Sequence, residues 1–259
     1  TRLTRRRHQG PLVVQRAFYP EGMPCHVYII HPPGGVVSGD DLALEVEVQA
    51  QAHALLTTPA AGKFYRRCGT GLAHLSQSFR VDNGALEWLP QENIYYPGAG
   101  AELRTVAWLS GHSRFVGWEI GCFGLPANQC DLGTGTVRQR LELWHEGLPV
   151  LLERLAIDRS SLQARWGLAG HAALGTMLAY PAEAKHLECA REVIARMTPH
   201  ASNGHDAPTL ACTLVGKALC CRGYAVRADW LKQCFIDVWS ALRLELIGRA
   251  ATPPRIWNT

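Results

Sequence analysis

"SFRVDNGALEWLP", residues 78–90, is the stretch on which the fold reading turns. An apolar strand runs into Asn83-Gly84, and a second apolar strand leaves through Leu86 and Trp88. Asn and Gly both accept positive φ, so the pair reads as the turn of a hairpin. The same form recurs on either side. Upstream, Leu42, Leu44, Val46 and Val48 alternate with Glu45, Glu47 and Gln49, the period of a strand covered on one face. That strand turns at Ala50–Ala52 into "HALLTTP". Downstream, "VAWLSGHSRFVGWEI" (106–120) turns at Ser110-Gly111. The turns lie about thirty residues apart, which predicts stacked hairpins, each covering its neighbour's apolar face. An ordinary β-sandwich produces the same pattern. Residues 136–147 and 148–157 read as two more strands joined through Gly147.

The last third changes period. In "PAEAKHLECAREVIARM", Leu187, Ala190, Val193, Ile194 and Met197 fall at helical spacing, as do Leu231, Cys234, Phe235, Val238, Leu242 and Leu246 in "DWLKQCFIDVWSALRLELIG". Asp229 is the expected N-cap of the second helix and Gly248 its stop. "TLACTLVGKALCCRGYAV" between them reads as another strand pair. No linker separates the parts. The expectation is one domain over 1–259, mainly β, with two helices in the C-terminal third.

Composition removes several classes of function. The chain has 259 residues and a formal charge of +4. No apolar run is long enough to span a bilayer, and no basic-then-apolar signal opens the sequence. "TRLTRRR" (1–7) places four arginines at the start. Without interleaved aromatic residues it reads as a flexible, solvated lead-in, and the near-balanced remainder argues against a nucleic-acid surface. Nine cysteines, with no C-x-x-C among them, point to free thiols in a reducing cytoplasm.

"HPPGGVVSGDD" (31–41) has the glycines of a phosphate cradle, but Asp40 and Asp41 stand where a P-loop carries Lys and Ser/Thr, so it fails on charge. A strand follows the glycines where a dinucleotide fingerprint needs a helix, and no G-x-S-x-G nucleophile turn occurs. By alternation Asp40 shares the inward face of Leu42 and Leu44, and Asp41 the outward face of Glu45 and Glu47.

Other acids sit in apolar strands. Glu119 is at the centre of "RFVGWEIGCFG", Glu153 lies between Leu151 and Leu155, and Glu87 stands beside Trp88. A buried carboxylate costs several kcal/mol unless it is paired, hydrated or protonated. Two readings stay open: local ion pairs, for instance with Arg154 or Arg114, or a wet internal passage that accepts a cation. Carboxylates and water hold hard or borderline divalent ions less firmly than imidazole or thiolate cages. Cys25-His26 and His200/His205 are further candidate metal ligands. A metal-assisted hydrolase built on Asp40 with nearby histidines has no tight ligand motif to support it.

Taken in series, "GPLVVQRAFYPEG", "CHVYIIHPPGGVVSGDDL", "HALLTTPAAGKFYR", "LEWLPQENIYYPGA", "GWEIGCFGLPA", "LPVLLERL", "GTMLAYP" and the terminal "PPRIWNT" resemble the urease accessory protein UreD family, also called UreH. The resemblance runs from about residue 8 to the end. It implies a mostly β fold of stacked sheets with helical-β character and two helices. It also implies a cytoplasmic, non-catalytic maturation factor that binds the urease apoprotein, carries UreF and, through UreF, recruits the GTPase UreG. No membrane or nucleic acid is implied as a partner. The cargo implied is nickel, conducted through an internal passage. Carried over position by position, the metal path falls on Asp40, Asp41, Glu119 and Glu153. The acid in "GWEI" is often Asp in the family and is Glu here. The alternative is a β-adaptor in the same complex with no direct metal contact.

Overall fold

The strand that ends at Asp82 and the strand that begins at Ala85 do not pair with each other; they belong to different sheets. The computed structural model describes residues 1–197 and 208–258, so His200 and His205 lie outside the described residues. The strands are β1 (Val13–Val14), β2 (Cys25–Ile30), β3 (Asp41–Val48), β4 (His53–Thr57), β5 (Gly62–Phe64), β6 (Ala73–Asp82), β7 (Ala85–Trp88), β8 (Asn93–Tyr95), β9 (Gly100–Ser110), β10 (Arg114–Phe123), β11 (Thr136–His145), β12 (Leu148–Ile157), β13 (Ala173–Tyr180), β14 (Thr209–Val215) and β15 (Ala218–Ala225). The helices are α1 (Arg159–Gln163), α2 (Ala184–Met197) and α3 (Ala228–Ile247).

A small sheet runs β12-β11-β9-β6-β3, and a large one β1-β2-β4-β7-β10-β13-β15-β14, with β8 on β10 and β5 on β8. β3, β6, β9 and β11 are mutually parallel, and so are β2, β4, β7 and β10. The chain therefore winds from small sheet to large sheet and back, one coil for each repeat. This corrects the hairpin reading: the period was a winding period. The three turns stack as corners. Gln51 N–H donates to the Asn83 carbonyl at 2.9 Å and Asn83 N–H to the Ser110 carbonyl at 3.1 Å. Of the Asn83-Gly84 pair only Asn83 has positive φ, at 47°. Gly84 is required for another reason, since a Cβ there would sit 2.8 Å from the Gln49 carbonyl oxygen of the neighbouring corner.

True hairpins close the winding. β11 and β12 are antiparallel around Glu146-Gly147, both at positive φ (49° and 74°), the mirror-type turn that matches strand twist. β14 and β15 pair likewise, and β13 is antiparallel to both β10 and β15.

α2 and α3 cover the outer side of the large sheet, while α1 packs against β12 of the small one. Trp118 of β10 meets Phe235 of α3 at 6.2 Å between ring centroids, and Trp239 is fully buried. Gly248 ends α3 in the left-handed conformation, as its position in the sequence indicates. The N-cap is Arg227 rather than Asp229; Asp229 sits in the first turn, where Arg227 pairs with it. All nine cysteines are free, and six of them are buried. Residues 1–7 form no regular element; the Thr1 hydroxyl accepts from His53 N–H at 2.8 Å and Leu3 packs on the inter-sheet core. Among the described residues no helix is long and apolar enough to cross a membrane.

Candidate functional site: a polar seam between the sheets

Strand register aligns polar side chains that the sequence scatters. On the small sheet Gln77, Thr105, Leu141 and Glu153 stand side by side across β6, β9, β11 and β12. On the large sheet Glu119, Thr176 and Arg222 do so across β10, β13 and β15. Directly opposed residues in a sheet share a face, so each row is a line across the strands. The two rows meet in the interior: Thr105 Oγ1 donates to Glu119 Oε1 at 2.9 Å, and Thr176 Oγ1 to Glu153 Oε1 at 3.2 Å. The inter-sheet core is divided along this line. Phe79, Leu109, Phe115, Leu143 and Leu178 pack on one side, and Leu103, Phe123, Val137 and Leu174 on the other. Leu141 is the one apolar interruption in the rows.

Glu119 occupies the deepest position. Every residue of β10 after Arg114 is buried, because the strand lies between the small sheet and α3. Gly117 and Gly121, two residues either side on the same face, leave the carboxyl its room. A Cβ at either would fall within 3 Å of the Phe115 or Phe123 ring that folds over it. Besides Thr105, only the Trp88 indole donates to Glu119, at 3.2 Å, and no cation is paired with it among the described residues. Burial, outweighing these two hydrogen bonds, pushes its carboxyl up to about 7. Glu119 also lines a cavity of about 150 Å³ whose polar lining includes His31, Thr58, Lys63, Gln77, Gln91 and Asn93, with Trp88 on its wall. His31 Nε2 is buried there without a hydrogen-bond partner. Burial lowers the pKa of that imidazole, against the opposing field of the Asp40 carboxylate.

Glu153 differs. Arg222 pairs with it, and that guanidinium is about half exposed (47%), so the seam reaches solvent at this end. Asp40 is half-buried, but its carboxylate turns back on the glycine turn and accepts from Val37 N–H at 2.9 Å. It therefore does not follow the inward face of Leu42 and Leu44, because β3 begins one residue later. Asp41 is exposed on the outer face, opposite His74, and stands outside the seam. The structure thus brings Glu119 and Glu153 into one band through Thr176, sets Asp40 beside the cavity-lining His31, and leaves Asp41 apart. Cys25 and His26 point to opposite faces of β2, Cys25 toward the inter-sheet core and His26 to Glu21 at 2.7 Å.

Glu87 belongs to a different network on the helix side of the large sheet. It accepts from Arg243 Nε at 3.0 Å, from Trp239 Nε1 at 2.6 Å and contacts His53 Nε2 at 2.7 Å. Arg243, fully buried, also holds Glu21 at 2.7 Å. Burial alone would raise the Glu87 pKa; the His53 and Arg243 contacts overcome it and hold the carboxyl below its ordinary value. Ion pairing is therefore the answer for Glu87 and Glu153, with Arg243 and Arg222 in place of Arg154 or Arg114. Thr105, Thr176, Gln77, His31 and Arg222 escaped the sequence reading. Arg222, a lone charge in "ALCCRGYA", was the one visible signal.

Among the described residues no three His, Cys, Asp or Glu side chains come close enough to form a metal cluster. What the fold and seam define is a wound β-sandwich with a charged, partly hollow interior. The family model described as UreD urease accessory protein matches residues 1–258. Proteins named urease accessory protein UreD are similar over the full length: 42% identical over 260 residues in Pseudomonas entomophila (all of this chain, 89% of the relative), 41% over 260 residues in Citrobacter koseri (all of this chain, 87% of the relative), and 39% over 260 residues in Escherichia coli (all of this chain, 92% of the relative). The chain belongs to the UreD urease accessory protein family, and its role lies in urease maturation.

Proposed function

We propose that this chain is a cytoplasmic scaffold for urease maturation. It binds the urease apoprotein and UreF, reaches UreG through UreF, and helps pass nickel to the urease active site along the seam. Nickel is cargo in this reading, and the chain itself catalyses no reaction. The observation that carries it is the polar band through the apolar core, interrupted in its rows at Leu141 alone. It begins at a cavity lined by His31 and Glu119, runs through Thr105 and Thr176, and ends at the buried Glu153 and its half-exposed partner Arg222. Carboxylate, hydroxyl and single imidazole groups spaced along a line grip a borderline divalent ion weakly and in succession, as transfer requires. Glu119 is the strongest candidate contact, since ionising it without a partner is costly and a cation would remove that cost.

The Glu153–Arg222 pair favours a second reading, a β-adaptor without metal contact, because that carboxylate is already neutralised. Co-expression with the other accessory proteins and the urease subunits separates the two. Under the conduit reading, Glu119→Gln lowers the nickel content of purified urease while pull-down of the complex is unchanged. Unchanged nickel with intact complexes leaves the adaptor.

A further inference from the structure

The outer face of the small sheet carries an arrangement that the interior does not explain. Arg140 of β11 stands directly opposite Arg104 of β9 on one side and Arg154 of β12 on the other. Adjacent strands are about 4.8 Å apart, so three like charges form a row about 10 Å long. Like charges directly opposed across strands are destabilising. Glu142 relieves Arg104 alone, at 3.8 Å; Arg140 and Arg154 are exposed and have no ion-pair or hydrogen-bond partner among the described residues. The neighbouring row toward the strand ends holds Arg138 paired to Glu102 at 2.9 Å, with Glu102 also near His74. On the other side come Glu142 and the exposed Leu152, then the stacked Trp108 and Trp144 rings, 5.1 Å apart. The far strand, β3, presents Asp41, Glu45 and Glu47.

We propose that β9, β11 and β12 form a docking surface for an acidic amphipathic helix of a protein partner. The spacing selects a helix. Carboxylates at i, i+3 and i+7 are about 4.5 and 6 Å apart along a helix axis, which brackets the strand spacing, whereas same-face residues of an extended strand are about 6.6 Å apart. A helix laid across the strands places one carboxylate on each arginine and its adjoining apolar stripe on Leu152 and the edge of the Trp108–Trp144 pair. The three-arginine row is one residue wide, with Glu102 and Glu142 in the rows on either side; the face's other arginines are Arg138, paired to Glu102, and Arg80, set between Glu47 and Trp108 two rows away. That width suits a single stripe of carboxylates; a duplex or a lipid surface would also meet the flanking acids. Asp41, Glu45 and Glu47 repel an acidic partner from the other edge and fix where it lies. This inference stands on the outer face alone and does not depend on the nickel reading.

The test uses the full chain and a labelled synthetic helical peptide with Glu at i, i+3 and i+7 and Leu on the adjoining stripe, followed by fluorescence anisotropy at low ionic strength. Binding is expected for this peptide and not for its Gln counterpart. The triple variant R104E/R140E/R154E should weaken it about thirtyfold, and R104Q/R140Q/R154Q, which keeps side-chain length should reversal unfold the sheet, about tenfold. R2E/R5E/R7E changes net charge by the same amount elsewhere on the surface and should leave affinity within about twofold. Equal loss in the N-terminal variant, no loss in either row variant, or no binding of the Glu peptide overturns the proposal. So does stronger binding of a DNA oligonucleotide or of phosphatidylglycerol vesicles at the arginine row.

Discussion

Replacing Glu119 by Gln should make the protein more stable, by a margin that opens as pH rises above about 4.5 and is complete just above pH 7. The amide has the size of the protonated acid and keeps a carbonyl oxygen for the Thr105 and Trp88 donors. In the wild type, burial raises the carboxyl from 4.5 to about 7. Between those values the folded protein holds a proton that the unfolded chain releases. Stability therefore falls as pH rises through this window and levels off above it. At about 1.4 kcal/mol per pH unit the accumulated penalty is about 3 kcal/mol. Glu119→Gln has no such window. Urea denaturation of both proteins in chelator at a series of pH values is expected to give matching stabilities near pH 4. Near pH 8 the variant should lead by about 3 kcal/mol, with contributions from other titrating groups cancelling in the difference. A difference that stays constant across the series would refute the reasoning, because Glu119 would then be ionised and compensated in the fold.

Arg243→Met leaves Glu87 and Glu21 without their cation in a dry site and is expected to cost about 3–5 kcal/mol in urea denaturation; a loss below about 1 kcal/mol would show the network to be slack. Gly84→Ala drives a Cβ to 2.8 Å from the Gln49 carbonyl oxygen and 2.9 Å from that of Ala52, both backbone atoms. It should cost about 1–3 kcal/mol by the same assay, and a neutral result would mean that the corners do not stack as described.

The strands and helices were legible where one face is covered: the alternation in Leu42–Val48 and the three-to-four spacing in Ala184–Met197 each report a single environment. The partner of each strand was not, because period two is the same for a hairpin arm and a parallel coil, and Asn83-Gly84 serves both. β13 escaped for the opposite reason; all eight of its residues are buried, so it has no alternation to read. Glu119, Glu153 and Glu87 were visible as acids in apolar company. Which were neutralised was not, since Arg222 and Arg243 lie 69 and 156 residues further on, and only the completed register brings them near. Asp40 was misplaced because alternation was carried one residue beyond the start of its strand.

The same separation sets an order on events at the ribosome. Translation at roughly 5–20 residues per second leaves Glu87 waiting roughly 8–30 s for the arginine 156 positions behind it. Through that interval the early coils can stack, yet their carboxylate has only the His53 imidazole beside it and no guanidinium, and the sheet face awaiting α3 lies bare. A nascent chain in that state is a natural client for a holding chaperone, and slowing synthesis within α3 should lengthen its exposure to proteases.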